Sequence, residues 1–172
     1  MKIKKTPFKN LLLIKSKLFY DDRGYFKELL KETTLKNKFI FTVVSSSKKN
    51  IIRGLHYQSK NAQGKFISVV KGKIFDVAVD LRKNSKTFGK HFKIILSHKN
   101  SKSIYIPPGF IHGFLGKDKE NIVVYSCTNY RNKNSEIGVL WNDKDLNIDW
   151  KIKKPILSEK DSKNIPFNKL NN

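Results

Sequence analysis

The sequence predicts an all-β fold, a jelly roll or a similar barrel with short peripheral helices. From Phe39 onward, short segments rich in Val, Ile, Phe and Tyr alternate with turn residues, at spacings typical of β-sandwiches and barrels. No long segment repeats its apolar residues with a helical period, which argues against a parallel α/β fold. The predicted strands are FIFTVV, IIRGLHYQ, KFISVV, KIFDVAVDL, FKIIL, SIYIP, NIVVYSCTNY and GVLW.

The amino-terminal region and the turns complete this prediction. The first 37 residues are predicted to hold one short strand, a DDRG turn at 21–24 and a brief helix around FKELLKET. The segment VVKGKIF is typical of a β-hairpin, because Gly72 can adopt a positive φ in its turn. A chain of 172 residues is long enough for one domain with a core, and residues 1–172 are predicted to form one.

The period-two alternation of strands assigns side chains to faces. In KIFDVAVDL, Asp76 and Asp80 share a face with Ile74 and Ala78. Two carboxylates on one face indicate either a solvent-exposed surface or a polar pocket inside the barrel, and this strand alone leaves both interpretations open. The same rule groups side chains along NIVVYSCTNY, where one face carries Val123, Tyr125 and Cys127.

The net charge of +22 raises the question of nucleic-acid binding. Lys and Arg together number 36 against 14 acidic residues, but only four are Arg, and the lysines are spread along the whole chain. Such an even distribution is typical of lysine-rich solvated faces, so nucleic acid is not the expected partner. A positive field of this size still attracts small anionic substrates.

The cellular setting is predicted from the cysteine content and from the amino terminus. The single cysteine, Cys127, allows no internal disulfide and indicates a reducing compartment. The apolar run at 11–14 is too short for the core of a signal peptide, and no segment is long enough to span a membrane. The sequence therefore predicts a cytoplasmic protein with no membrane partner.

Two histidines offer alternative chemistries. His56 lies in the predicted strand IIRGLHYQ, and His112 follows a Pro-Pro-Gly turn in IPPGFIHGF. Each is open to three interpretations: a structural hydrogen-bonding group, a general base, or a metal ligand. The metal hypothesis has little support, because the chain has no His-x-His pair and no glutamate a few residues beyond either histidine. No metal site is predicted.

The arginines suggest anion recognition. Arg23 lies in DDRGYFKE and Arg53 in IIRGLH, each beside a glycine that allows close approach of the backbone to a ligand. In a chain that uses lysine as its ordinary cation, a retained arginine favours planar, bidentate binding of an anion. The alternative is that two of four arginines lie there by chance.

The order and spacing of seven sequence blocks point to one family. The blocks are DDRGYFKE, IRGLHYQ, NAQGKFISVVKGKIFDVAVDLRKNSKTFG, IPPGFIHGF, YSCTNY, SEIGVLWND and LSEKD. From about residue 22 to 161 the chain resembles the nucleotide-sugar 3,5-epimerases of the cupin superfamily, typified by the dTDP-4-dehydrorhamnose 3,5-epimerase family. The resemblance implies a cupin-type jelly roll, or double-stranded β-helix, that works without a cofactor. It also implies a homodimer in which strands from residues 1–38 lie at the interface and are exchanged.

The resemblance implies catalytic roles for four residues. His56, in RGLHYQ, matches the base that removes the C3 and C5 protons of the sugar, and Asp161, in LSEKD, matches its carboxylate partner. Tyr125 matches the proton donor on the opposite face of the sugar, and Lys65 of NAQGK matches a group near the sugar oxygens. This set suits the chemistry, because a 4-keto group acidifies the neighbouring C–H bonds and the pKa of histidine lies near neutrality.

Further residues are implied by the resemblance to bind the substrate, a nucleotide-diphosphate 4-keto-6-deoxy sugar. The implied reaction converts dTDP-4-dehydro-6-deoxyglucose to dTDP-4-dehydrorhamnose, a step towards a cell-surface polysaccharide. The implied substrate-binding positions are Arg23, Glu28, Arg53, His112, Arg131, Glu136 and Lys160.

The chain departs from the family pattern where the nucleotide is held. The family has a Gln-Asp-Asn run about a dozen residues before the RGLH arginine, and this chain has Phe41, Thr42 and Val43 there. Arg131 occupies the position of a tyrosine that stacks on thymine, and an arginine stacks on a base with different polarity. The identity of the nucleotide is therefore left open between thymidine and another base.

The sequence leaves several alternative functions open. The nearest are an epimerase that inverts one carbon, a 3,4-ketoisomerase, and an epimerase acting on a GDP, CDP or UDP sugar or on a heptose. A non-catalytic cupin that binds a sugar nucleotide belongs to another class, and it predicts binding without proton exchange. Nucleic-acid binding is a third class, for which a strongly salt-dependent affinity is the test.

Overall fold

The computed structural model describes residues 1–171, and strands dominate this part of the chain. Asn172, the last residue of the predicted domain, lies outside the described residues. No helix among residues 1–171 is long and apolar enough to cross a membrane. The elements in chain order are β1 (Lys2–Lys5), β2 (Leu12–Lys15), β3 (Leu18–Asp21), β4 (Gly24–Lys27), α1 (Glu32–Leu35), β5 (Phe41–Lys48), β6 (Ile52–Gln58), β7 (Lys65–Lys71), β8 (Lys73–Asp80), β9 (His91–Ser97), β10 (Lys102–Ile106), β11 (Phe110–Gly116), β12 (Glu120–Cys127), β13 (Glu136–Gly138) and α2 (Glu159–Ser162).

Two antiparallel sheets form the body of the molecule. One has six strands in the order β1-β2-β10-β7-β12-β5, and the other has five in the order β13-β6-β11-β8-β9. Their inner faces share an apolar core with residues from both sheets, such as Ile67 and Val123 from the first and Ile74 and Leu96 from the second. Two sheets that pack face to face in this way confirm the predicted all-β jelly roll.

A second apolar cluster covers the outer face of the five-stranded sheet. There Val77 and Val79 of β8 pack with Trp150 from the carboxy-terminal segment. The alternation along β8 therefore places Ile74 and Ala78 between the sheets and the valines outside them. As a result, the carboxylates of this strand point into the molecule, and the solvent-face interpretation of that strand is wrong.

The two aspartates of β8 have different surroundings. Asp76 contacts His112 inside the molecule, whereas Asp80 lies at the end of the strand. Burial acts to raise the pKa of Asp80, but hydrogen bonds from Arg82, Thr87 and Ser85 outweigh it and hold that pKa well below its usual value. Asp80 therefore anchors the loop after β8 through its hydrogen bonds to residues 82–87.

The predicted hairpin at VVKGKIF is wrong. Strand β7 pairs with β10 and β12 in one sheet, while β8 pairs with β9 and β11 in the other, so the chain crosses between sheets at Gly72. Gly72 does have a positive φ of 78°, and a Cβ there would lie 2.1 Å from the carbonyl oxygen of Glu120. The glycine is needed for this close crossing and not for a two-strand turn.

The amino-terminal prediction is partly wrong. The DDRG turn is confirmed, because Asp21 pairs with Gly24 at the tip of the β3–β4 hairpin. The helix predicted around residues 26–33 begins later, at residue 32, and four strands replace the single predicted one. Cross-strand aromatic contacts hold residues 24–27 in a strand, as between Phe19 and Phe26, whose ring centroids lie 6.4 Å apart.

Candidate active site

A cavity of about 670 Å³ opens between the two sheets. Its size is that of a small-molecule site, for which volumes of roughly 300–1,000 Å³ are typical. Strands of both sheets and the segment at 156–161 form its walls. Nine of the eleven predicted site residues line it: Arg53, His56, Lys65, His112, Tyr125, Arg131, Glu136, Lys160 and Asp161.

His56 and Asp161 form a hydrogen-bonded pair in this cavity. His56 Nε2 of β6 lies 2.6 Å from Asp161 Oδ1, although the two residues are 105 positions apart in the chain. Asp161 is buried on α2, whose N-cap Ser158 accepts a hydrogen bond from the Asp161 backbone N–H. The carboxylate thus fixes the orientation and tautomer of the ring and leaves Nδ1 as the nitrogen that can accept a proton.

Asp161 remains ionised beside the histidine. Burial acts to raise the pKa of this carboxyl, but the hydrogen bond and the charge interaction with His56 outweigh it, so the pKa lies below its usual value. A proton that His56 takes up therefore stays on the imidazole, where the carboxylate stabilises the imidazolium.

Gly54 allows β6 to approach β11 closely beside this pair. Its φ is +119°, and its N–H donates a hydrogen bond to Asp161 Oδ2 over 3.3 Å. A Cβ at this position would lie 2.6 Å from Gly113 Cα and 2.8 Å from the carbonyl oxygen of His112. Both contacts involve backbone atoms that cannot move aside without shifting the strands.

Replacing Gly54 by alanine is expected to destabilise the fold. The backbone conformation alone costs about 1–3 kcal/mol for an L-residue, and the two backbone clashes add to that loss. Urea unfolding measures the change in free energy of unfolding. Gly24→Ala is the matched control, because φ is +130° there but nothing lies within 4 Å of the added Cβ. Equal losses in the two variants would contradict the close approach at Gly54.

Tyr125 lies on β12, in the sheet opposite His56. The alternation predicted for this strand is observed, with Val123 and Cys127 buried on the same side. The Ser45 hydroxyl of β5 donates a hydrogen bond to the Tyr125 oxygen over 3.3 Å. Burial raises the pKa of Tyr125 above its usual value, so the phenol holds its proton at neutral pH and can act as a donor.

Lys65 begins β7 and brings a cation to the cavity wall. It is paired in register with Cys127 of β12, and burial lowers the pKa of its ammonium group. Burial also raises the pKa of the Cys127 thiol, which keeps that side chain neutral. The only cysteine is therefore an apolar part of the wall beside a lysine whose charge is poorly solvated.

A second histidine–aspartate pair joins the cavity wall at His112 to the buried Asp76. His112 Nε2 is 2.8 Å from Asp76 Oδ2, and both side chains are buried. His112 is paired in register with His56, and its ring packs edge-on against Tyr125 with centroids 6.4 Å apart. The Asp76 carboxylate, to which the sequence assigned no definite role, thus orients a histidine that contacts the phenol.

The cationic side chains of the cavity are held by strand and loop partners. Arg53 donates from Nε to Ser47 Oγ over 2.8 Å and from its terminal nitrogen to the carbonyl oxygen of Ser46 over 2.9 Å. Glu136 Oε2 binds Arg131 at 2.6 Å and Lys160 at 3.2 Å. These contacts fix three positive groups around the cavity and leave guanidinium and ammonium hydrogens for an anion.

Arg23 and Glu28 are not brought to the cavity within one chain. Arg23 lies in the turn of the β3–β4 hairpin, where it is almost fully exposed and pairs with Asp21 at 2.6 Å. Glu28 forms an ion pair with Lys31 at 2.8 Å. The other five predicted substrate-binding residues line the cavity.

Sequence reasoning missed Ser45 and assigned no contact to Asp76. The alternation of FTVVSSSK along β5 places Phe41, Val43 and Ser45 on one face, the sheet face that also carries Tyr125 of the neighbouring strand β12. That pattern was available, but a serine in a strand has no distinctive chemistry by itself. Within residues 1–171, no group of three His, Cys, Asp or Glu side chains is placed to hold a metal ion.

The sequence and the fold are similar to those of known nucleotide-sugar epimerases. A family model for dTDP-4-dehydrorhamnose 3,5-epimerase matches residues 5–169. The protein of that name from Shigella flexneri is 42% identical over 168 residues, covering 94% of this chain and 93% of its own. The crystal structure of the enzyme of that name from Elizabethkingia anophelis NUHP1 has a TM-score of 0.91 at 42% identity, covering 100% of this chain and 99% of that chain. The dTDP-6-deoxy-D-glucose-3,5-epimerase from Legionella pneumophila Philadelphia 1, in complex with dTDP-4-keto-L-rhamnose, has a TM-score of 0.92 at 38% identity, covering 97% of this chain and 93% of that chain.

The fold and the site define an enzyme of the jelly-roll class with acid–base groups in its interior. A histidine–carboxylate pair and a buried phenol reach one cavity from two sheets. The matches extend over nearly the whole chain, and the chain belongs to the dTDP-4-dehydrorhamnose 3,5-epimerase family.

Proposed function

We propose that this enzyme is a 3,5-epimerase that converts dTDP-4-dehydro-6-deoxyglucose to dTDP-4-dehydrorhamnose. The observation that carries the proposal is the placement of His56 and Tyr125, which line one cavity from opposite sheets. Inversion at a carbon requires that a proton leave from one face and return to the other. The relative from Legionella pneumophila is bound to dTDP-4-keto-L-rhamnose, the product of this reaction, which supports the proposal.

His56 begins the reaction as a general base. Its Nδ1 takes the proton from C3 or C5, the C–H bond breaks, and the electron pair moves through the adjacent carbonyl onto O4 as an enolate. Asp161, ionised and bonded to Nε2, stabilises the imidazolium that forms. Tyr125 then gives its proton to the opposite face of the same carbon. The imidazolium of His56 releases its proton to water and the phenolate takes one up from water, so both groups return to their starting states before the second carbon reacts.

The enolate is stabilised by the cation beside it. We assign this role to Lys65, because it lines the cavity and burial makes its charge poorly solvated, which strengthens its interaction with a developing anion. His112, held by Asp76, is placed beside Tyr125 to contact the sugar. Neither residue changes its net protonation over the cycle.

The diphosphate is assigned to the three cations around the cavity. Arg53 and Arg131 each present a guanidinium, which suits bidentate binding of phosphate oxygens, and Lys160 adds an ammonium group. Their strand and loop partners hold them in place before the substrate arrives. The high net charge of the chain favours encounter with such an anionic substrate.

Another nucleotide is a second candidate, because the cavity wall has an apolar segment. Phe41 and Val43 line the cavity, and Phe41 packs against Tyr130 with ring centroids 5.8 Å apart. Arg131, at the position of a stacking tyrosine in the family, is paired with Glu136. These side chains would contact the nucleobase of the substrate by stacking and van der Waals packing more than by hydrogen bonds.

We further propose a homodimer in which the β3–β4 hairpin meets a second copy. The hairpin exposes four large aromatic side chains, and exposed apolar groups of this density mark an interaction surface. A second copy packed on this hairpin would also receive Arg23 and Glu28 at its own cavity, where the family pattern expects them. The exposed aromatic residues are Phe19, Tyr20, Tyr25 and Phe26.

The single cysteine, which is free and buried, supports a reducing compartment, and we place the enzyme in the cytoplasm.

Turnover of a panel of nucleotide sugars tests this function. The enzyme is incubated with 4-keto-6-deoxy sugars carrying dTDP, UDP, CDP or GDP, and the product configuration at C3 and C5 is read from proton NMR couplings. We expect inversion at both carbons with the dTDP sugar. Inversion at one carbon identifies a mono-epimerase, migration of the keto group identifies a ketoisomerase, and tight binding without any product identifies a non-catalytic binding protein.

A further inference from the structure

Three consecutive serines, residues 45–47, connect β5 to Tyr125 and Arg53. Strand β5 lies at the edge of the six-stranded sheet. Ser45 and Ser47 lie on the inner face of the strand, and their burial alternates with that of the exposed Ser46 between them. Ser45 donates a hydrogen bond to Tyr125, while Ser47 accepts one from Arg53. The strand therefore holds both the phenol and a cation of the same cavity.

The direction of the Ser45 hydrogen bond determines where the phenolic proton lies. Because the serine hydroxyl donates to the Tyr125 oxygen, the O–H of the tyrosine must point elsewhere. In the part of the chain that the structure describes, that O–H donates to no protein atom, and Tyr125 lines the cavity. The proton is thus directed towards the space that a substrate occupies.

The same bond becomes stronger when Tyr125 has given up its proton. A hydrogen bond to an ionised oxygen is shorter and roughly twice as strong as one between neutral groups. Burial disfavours the phenolate, and the neighbours of Ser45 on the inner face of β5 are Val43, which is apolar, and Ser47, which is engaged with Arg53. On this strand only Ser45 supplies a hydroxyl to the phenolate.

We propose that Ser45 is a positioning residue for Tyr125, which orients the phenolic proton towards the substrate and stabilises the phenolate left after proton transfer. This inference rests on the proposed role of Tyr125 as the proton donor. It predicts that Ser45 affects the return of a proton to the inverted face and leaves its removal by His56 intact. A serine with a merely structural role would affect both steps equally.

Ser45→Ala tests the proposal through the partition of the enolate. In deuterated water the proton held by the His56 imidazolium exchanges with solvent. An enolate that is then reprotonated by His56 returns as labelled substrate, whereas one protonated by Tyr125 becomes epimerised product. We expect the ratio of product to labelled substrate to fall about tenfold, the effect of losing one hydrogen bond to a charged group, while total C–H exchange stays within about threefold of that of the unmodified enzyme. Ser45→Thr retains the hydroxyl and is expected to restore the ratio.

Ser126→Ala is the matched control. Ser126 follows Tyr125 on β12 and points to the opposite face of the sheet, away from the cavity. It accepts a hydrogen bond from Thr42 of β5 over 3.2 Å. This variant removes one hydroxyl between the same two strands, and its ratio is expected to remain unchanged. Circular dichroism and urea unfolding compare the stability of both variants.

The outcomes separate the two proposals. An unchanged ratio in Ser45→Ala, or an equal fall in Ser126→Ala, would overturn the role of Ser45 while the epimerase activity stands. Equal losses of exchange and product in Ser45→Ala would show a structural role and overturn it as well. If the unmodified enzyme exchanges no C–H proton, the proposed function fails, and the inference about Ser45 fails with it.

Discussion

Replacing His56 by asparagine is expected to lower both deuterium exchange and product formation by about 1,000-fold, which is within the range that general acid–base catalysis typically contributes. Asparagine retains a polar group near Asp161 but cannot accept a proton at neutral pH. Because removal of the C–H proton precedes every later step, both readouts fall together. The measurement follows label at C3 and C5 and product by NMR in the same sample.

His98→Asn is the matched control for this variant. His98 lies in the turn after β9, where its Nδ1 is 3.0 Å from the carbonyl oxygen of Gly72, and it does not line the cavity. Its exchange rate is expected to equal that of the unmodified enzyme. A His56→Asn enzyme that folds normally and still exchanges label within tenfold of the normal rate would assign the base to another residue.

Replacing Tyr125 by phenylalanine is expected to uncouple the two readouts. Product formation falls about 100-fold, because the inverted face loses its proton donor, while exchange at the substrate carbons continues through His56. The ring still fills its position against His112, so the cavity keeps its shape. The ratio of labelled substrate to product therefore rises, in the same direction as for Ser45→Ala and to a larger extent.

Tyr105→Phe provides a comparison for the loss of one phenolic hydroxyl. Tyr105 is buried on β10 in a different apolar cluster, with Phe66, and does not line the cavity. We expect its ratio of product to exchange to be unchanged. If Tyr125→Phe lost exchange and product in equal proportion, the assignment of Tyr125 as the donor for the second step would be wrong.

The fold was predictable where local pattern and tertiary packing agree. Alternation along β8 and β12 specified which side chains face inward, because each strand has an apolar face on the core. At Gly72 the local pattern of a hairpin was the same as that of a crossing between sheets, and only the pairing partners of β7 and β8 distinguish the two. At 24–27, aromatic pairing across a hairpin overrode the helical tendency of the sequence.

The site was predictable from the sequence blocks that resemble a known family, and not from the spacing of its individual residues. His56 and Asp161 are too far apart in the chain for spacing to pair them, and only the family resemblance did so before the structure placed them 2.6 Å apart. Ser45 acquires its contact through the register of β5 with β12, which no local pattern specifies. Within one chain Arg23 and Glu28 lie away from the cavity, and they reach a cavity only in the proposed homodimer.

The proposed reaction inverts C3 and C5 by proton transfer beside the C4 ketone. The most direct test is to incubate the unmodified enzyme with dTDP-4-dehydro-6-deoxyglucose in deuterated water and to measure deuterium at each carbon of the product. We expect one deuterium at C3 and one at C5, both in the inverted configuration. A product without deuterium at either carbon, or no exchange with any 4-keto nucleotide sugar, would contradict it.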